Sequence, residues 1–305
     1  MLTGRTKRIL ALLIFVAPAL CGFGSAGHAS TPCDETALAG IPARPPGAVT
    51  GSEFASRVDG MSEDEREQAM ESELLAGNMP EFLMRLEPVT LRGTSRDGRG
   101  VRVTVCVLPD YLAIGSNRDF VYVPMRLATA LTVASRYGFA IPTVRMVDAI
   151  YTQSAVHLAP QPLPAGDRMR STAYFLHHSE LIEQQRDSLG AATGLLTAGH
   201  KKDLVITNRL RRFPDRVAIY GWHRGDRDPI QPLSTVHGAR YADYSHGVRL
   251  VSDVVYVDGE ARSMAELLAD PQLASVVSED GPIPELARFV AGLQAPFAGA
   301  GLASR

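Results

Sequence analysis

Four of the eight histidines sit in polar segments that interrupt apolar, strand-like runs. These segments are Gly199-His200-Lys201-Lys202-Asp203, Tyr220-Gly221-Trp222-His223, and the stretch from Ser234 through His237, Arg240, Tyr241 and Asp243 to His246-Gly247. Polar groups at strand ends and in the loops that follow are where a rigid scaffold can present reactive side chains. Imidazole and carboxylate together suit a zinc-like cation, and a catalytic site needs three protein ligands with one position left for water. The expected ligands are His223, His237 and Asp243, with His246 as an alternative third, holding zinc or another divalent metal. Such an ion lowers the pKa of its water and polarises a carbonyl or phosphoryl oxygen. His200, Asp203, Tyr241 and His246 are the expected acid–base groups.

The same residues support a metal-free reading, in which a histidine held by Asp203 or Asp243 is the base and Tyr241, Tyr244 or Ser245 the proton donor or nucleophile. Ser245 lies in Asp-Tyr-Ser-His-Gly, not in GxSxG, so no nucleophile elbow is indicated and a serine bonded within a turn is the plainer reading. Lys201, Lys202, Arg240 and Arg249 surround these segments, either to orient a carboxylate or phosphate on the substrate or as solvated surface charges. Trp222, the single tryptophan, is a candidate to stack on a sugar or another ring beside a cleft, although a lone tryptophan is more often core or half-core. Asp110 and Asp119 bracket a short apolar strand, and Asp148 rides on a helix; each is a weaker carboxylate candidate. His177 and His178 are adjacent on a helix, about 100° apart, so only one can face the site. His157 follows an apolar helix and reads as structural.

The elements that must position these groups are legible in part. Ser62-Glu63-Asp64-Glu65 opens a helix with a capping box. Asp97-Gly98 followed by alternating Val101, Val103, Val105 and Val107 predicts a hairpin. Helices are expected after Pro124 up to Gly138, after Thr143, and from about Thr172 to Leu189. From Gly199 onward the texture becomes short β-type runs at 204–206, 217–220, 248–251 and 254–257. The fold class is α+β, a helical N-terminal half packed on a small mixed or antiparallel sheet from the C-terminal half.

The 305 residues, 45% of them hydrophobic and 21% charged, fit ordinary globular usage, which argues against disorder. A basic start, an apolar run from Ile9 to about Phe23 and small residues near Ala29 predict an export signal over residues 1–29. Removing it takes three cations and no acid, so the formal charge goes from −2 to −5, with no global pull towards nucleic acid. No later stretch is long and apolar enough for a membrane span. Residues 30–60 read as an irregular leader and 61–305 as a single domain, with a candidate lobe boundary near 160. Cys33 and Cys106 remain as an even pair in an exported chain, periplasmic or extracellular, and are expected to form a disulfide.

The segments GHKKD, YGWH and DYSHG, with DYLAIGS and IPTVRMVDAIY before them, resemble a group of uncharacterised exported bacterial proteins, and the likeness covers most of the mature chain. It implies no activity. Ser234, His237 and Asp243, with Trp222-His223, also resemble the ligand segments of zinc D-Ala-D-Ala carboxypeptidases. Here the order of the two segments is reversed, and five residues rather than six separate His237 from Asp243. Export, the His/Asp cluster and this resemblance lead to an expected hydrolase of a cell-wall or other extracellular polymer, cleaving a peptidoglycan-type amide with a metal. The alternatives are a metal-free polysaccharide hydrolase or lyase and a noncatalytic envelope-binding protein.

Overall fold

Two capping boxes open the described part of the chain. Thr50 caps α1 (Gly51–Val58) and Ser62 caps α2 (Glu63–Leu75); each hydroxyl accepts from the N3 amide while Glu53 or Glu65 accepts from the cap amide. In this computed structural model Met1, Cys33 and residues 40–298 are described, and the expected export signal lies outside them. Helix α1 falls within the stretch expected as irregular leader. Its cap carries the same Thr-x-x-Glu signal, and Phe54, Ala55 and Val58 bury one face.

The predicted hairpin is β1 (Glu87–Thr94) with β2 (Gly100–Val107), in register from Glu87↔Val107 to Thr94↔Gly100. β3 (Ala113–Gly115) and β4 (Phe120–Tyr122) form a small second hairpin. Helix α3 (Leu127–Tyr137) ends on Gly138, whose φ of 74° is the left-handed cap expected there. Then come β5 (Phe139–Ala140), α4 (Val144–Gln153) capped by Thr143, β6 (Val156–His157) and α5 (Thr172–Ser188) capped by Ser171. The remaining elements are β7 (Thr197–Ala198), β8 (Lys202–Leu204), α6 (Arg209–Arg212), β9 (Ile219–His223), β10 (Pro229–Ser234), β11 (His246–Gly247), β12 (Val251–Val257), β13 (Glu260–Ser263), α7 (Met264–Ala269), α8 (Ala274–Val277) and α9 (Leu286–Ala298).

The fold is α+β. Its main antiparallel sheet runs β1-β2-β12-β13, with β5 against β12. Both halves of the chain therefore supply strands: Val251 and Val255 of β12 pair with Val107 and Val105 of β2, because the alternating valines leave β2 apolar enough to sit inside the sheet. A second sheet, β10-β9-β8-β11, carries the His-rich segments. One hydrophobic core runs continuously from Phe54 and Val105 to Leu204 and Leu293, on both sides of the proline-rich stretch near 160. Cys33 and Cys106 are joined by a disulfide, as expected. No helix among the described residues is long and apolar enough to cross a membrane.

Candidate active site

Strand register divides the His-rich segments between two faces of the second sheet. His246 of β11 lies opposite Lys202 of β8, and Gly247 opposite Asp203; Lys202 in turn lies opposite Gly221 of β9, and Asp203 opposite Tyr220. With a side-chain period of two, Lys202 and His246 share one face while Asp203 and Tyr220 share the other.

The Asp203 face is a packed polar interior. Tyr111 donates to Asp203 Oδ2 at 2.8 Å, and burial pushes the Asp203 carboxyl up to about 6 against the pull of Arg249 and Tyr111. Gly247 is required here, since a Cβ would come within 2.6 Å of the Tyr111 ring. His223 pairs with Asp148 Oδ1 at 3.1 Å, Tyr220 donates to the same oxygen at 2.7 Å, and the His223 ring stacks on Tyr151 at 4.6 Å. Deeper in, Arg186 donates to Asp110 at 2.5 Å, with Tyr122 at 2.9 Å and His200 at 3.1 Å on the same carboxylate. Burial disfavours that charge, but His200, Arg186 and Arg249 together hold Asp110 well below the usual carboxylate range.

These placements correct several expectations. His200, Lys201 and Arg249 are 0% exposed, so none of them faces an open cleft in this structure. Lys201 donates to the Tyr244 carbonyl at 2.7 Å and to His178 Nδ1 at 3.0 Å; burial lowers its ammonium to about 7. Arg249 donates to the carbonyls of Leu108 and Thr197 at 2.8 and 2.6 Å. Trp222 is buried, with its indole donating to the His200 carbonyl and its ring covered by the Lys202 ammonium at 4.7 Å, so it offers no open stacking face. It does hold a φ of 58°, a left-handed conformation that is strained for a tryptophan. His223, on Asp148, is not brought to His237 and Asp243. Among the described residues no three His, Cys, Asp or Glu side chains converge as a metal site requires.

The Lys202 face gathers the rest. Asp243 Oδ1 accepts from the Ser245 amide at 2.8 Å and hydroxyl at 2.6 Å, and its Oδ2 accepts from Tyr241 at 2.9 Å. Ser245 is thus a turn serine, and Tyr244 is likewise occupied, accepting from the Leu163 amide at 2.7 Å. His237 stacks on the Tyr241 ring at 4.1 Å, and His246 meets the same ring edge-on at 5.7 Å. Both ring nitrogens of His246 are buried without a protein partner. Burial lowers its imidazole to about 4 despite Asp243, with Lys202 and His237 adding to the effect. Asp243 stays below its ordinary value: burial opposes its charge, but His246, the two Ser245 bonds and Lys202 outweigh it. Burial also lowers Lys202 and His237 and raises Tyr241, the last with help from Asp243.

Tyr241 is also the aromatic wall of a surface cleft of about 410 Å³, whose other sides are Ser62, Glu63, Asp64, Arg126, Arg170, Gly238 and Arg240. Arg126 and Arg240 each reach Asp64 at 2.6 Å, and Arg170 reaches Glu63 at 3.0 Å. Of these, sequence reasoning singled out Tyr241 and Arg240. Arg126 and Arg170 come from segments that carry no motif, and the acids belong to a helix cap. A second cavity of about 230 Å³, between α3 and α9, is lined by Leu131, Ala134, Ile206 and Val290 and holds no histidine. Comparison of the chain with protein families, with curated proteins and with solved structures finds no match.

Proposed function

We propose that this protein is an exported enzyme that cleaves a glycan-type polymer of the cell envelope or its surroundings by metal-free acid–base chemistry. The observation that carries the reading is His246: a buried, neutral imidazole with both nitrogens unpartnered, against a tyrosine that forms the wall of an open cleft. A neutral imidazole accepts a proton, and Tyr241, hydrogen-bonded to Asp243, supplies one to a leaving oxygen. Lys202, opposite His246 in register, lies on the same face of the sheet and adds positive charge near the imidazole. His246 is buried behind the Tyr241 ring, so its meeting a substrate in the cleft requires that ring to turn aside. The separation of His223 from His237 and Asp243 favours this reading over metal-dependent cleavage of a peptidoglycan amide. Export is supported by the basic and apolar N-terminal sequence and by the disulfide.

The test is release of new reducing ends from isolated envelope glycans and peptidoglycan by mature protein purified without added metal, with and without chelator. Chelator-insensitive turnover that drops about 100-fold or more in His246→Gln, with an unchanged circular dichroism spectrum, is the expected result. Turnover lost to chelator and restored by zinc would return the metal reading; binding without product would make the cleft a recognition groove.

A further inference from the structure

The charge of the cleft points to a narrower substrate. Three guanidinium groups, Arg126, Arg170 and Arg240, face two carboxylates, Glu63 and Asp64, so the walls keep an excess positive charge. Arg126 is the fixed member: its side chain is only 10% exposed, and its Nε donates to the Arg240 carbonyl at 3.0 Å. Arg170 and Arg240 are the reachable ones, at 41% and 57% exposure. A planar guanidinium matches a carboxylate with two parallel bonds. The same cleft offers the Tyr241 ring and Gly238 as a flat, uncharged wall, suited to a sugar ring. The Arg170 guanidinium lies 5.9 Å from the centre of the Tyr241 ring, so the anion position adjoins the acid–base group.

Resting on the acid–base reading above, we propose that the cleft binds a uronate unit of an acidic glycan through Arg170 and Arg240, and that the site breaks the chain by β-elimination. Pairing the carboxylate with guanidinium groups stabilises the charge that develops when the proton on the adjacent carbon is removed. His246 takes that proton. The electron pair forms the C4=C5 double bond, the C4–O bond to the neighbouring sugar breaks, and the departing oxygen takes the Tyr241 proton. Transfer of the proton from His246 to the phenolate restores both groups, and no water or redox partner is consumed.

The arrangement favours elimination over glycoside hydrolysis. Hydrolysis commonly uses two carboxyl groups flanking the bond, one protonated and one free to act as base or nucleophile. In this cleft Glu63 and Asp64 are held by arginines, and Asp243 already accepts three hydrogen bonds. His246, with no protein partner on either ring nitrogen, instead lies behind the proton donor Tyr241 with the ring centres 5.7 Å apart, the close pairing of base and acid that removal of a proton and a leaving group from one face of a sugar requires.

The experiment incubates mature protein with polygalacturonate, alginate and chondroitin, and with methyl-esterified polygalacturonate and dextran as uncharged controls. Two readouts are taken, the ultraviolet absorbance of a C4=C5 unsaturated uronate and new reducing ends. The expected result is both signals from at least one acidic glycan and neither from the controls. Arg170→Gln/Arg240→Gln, checked for folding by thermal melting, is expected to raise KM about tenfold or more. Reducing ends without absorbance would overturn elimination while leaving polymer cleavage standing, and dextran cleavage unaffected by the arginine changes would overturn carboxylate recognition. Polyuronate binding that the double variant loses, with no product, would instead overturn the acid–base reading and elimination with it. No cleavage and no binding anywhere in the panel would sink both.

Discussion

His246 and Asp110 are both buried, but only Asp110 has its polar atoms partnered. Asp110 is fully partnered by Arg186, Tyr122 and His200, so Asp110→Ala strands a buried guanidinium. The expected loss is about 3–5 kcal/mol, read by denaturant unfolding. His246 has no such partners, and its titration is the cleaner test. With a folded pKa of about 4 against an ordinary 6.5, the unfolded chain binds a proton that the native state refuses across that window. Wild-type stability therefore falls as pH drops from about 6.5 to 4 through this group, and falls no further below. Asp203, raised to about 6, works in the opposite direction between about 6 and 4, because there the native state binds the proton first. The difference between wild type and His246→Gln cancels Asp203. The variant is expected to gain on the order of 3 kcal/mol relative to wild type between pH 6.5 and 4. An NMR titration placing the His246 midpoint near 6.5 would remove the premise. At this scale the sequence offered candidate residue types, but not their partners. Lys201 and Lys202 are neighbours in the chain, yet Lys201 is buried on Tyr244 and His178 while the Lys202 ammonium lies over the Trp222 ring.

At the scale of elements, signals that act over three or four residues were legible: the Ser62 box, the Thr143 cap, the Gly138 cap and the Asp97-Gly98 hairpin all form as expected. The second sheet was less so, because β8 and β11 are three and two residues long and owe their existence to pairing, not to propensity. β11 lies parallel to β8, and that register alone sets Lys202 beside His246. Gly247 is the residue that lets the pairing close. A Cβ there would meet the Tyr111 ring at 2.6 Å and Lys201 Cβ at 2.7 Å. Neither neighbour is free to yield, since Tyr111 is bonded to Asp203 and Lys201 to Tyr244 and His178. Gly247→Ala is expected to cost about 1–3 kcal/mol, measured by thermal or chemical unfolding, and to lower turnover by shifting His246. Helix α2 contributes differently, by its N-terminal acids. Asp64 occupies Arg126 and Arg240, so Asp64→Asn is expected to tighten polyuronate binding severalfold, as seen by calorimetry, by removing a competing carboxylate.

The whole molecule explains why the cleft escaped a linear reading. Its walls come from α2, the turn before α3, the segment before α5 and the loop before β11, which lie up to 176 residues apart in the Asp64–Arg240 pair. Those segments meet because the core is continuous, with β2 bound to β12, so the N-terminal helices and the His-rich sheet cannot sit apart. The disulfide extends that closure to the N-terminal side, since Cys106 lies on β2 itself and Cys33 precedes every helix described. It closes a loop of 73 residues. By chain entropy such a link restricts the unfolded state by about 4 kcal/mol. For a chain of this size that corresponds to a fall of roughly 10 °C in Tm on removal of the bond. Cys33→Ser/Cys106→Ser is therefore expected to melt about 10 °C lower than the oxidised protein, and reductant should lower the wild type by a similar amount while leaving the variant unmoved. The cleft walls include α2, which packs on α3, so turnover at a temperature between the two midpoints should be lost in the variant and kept in the wild type. Equal melting of the two proteins would mean that the unfolded chain is already restricted without the link.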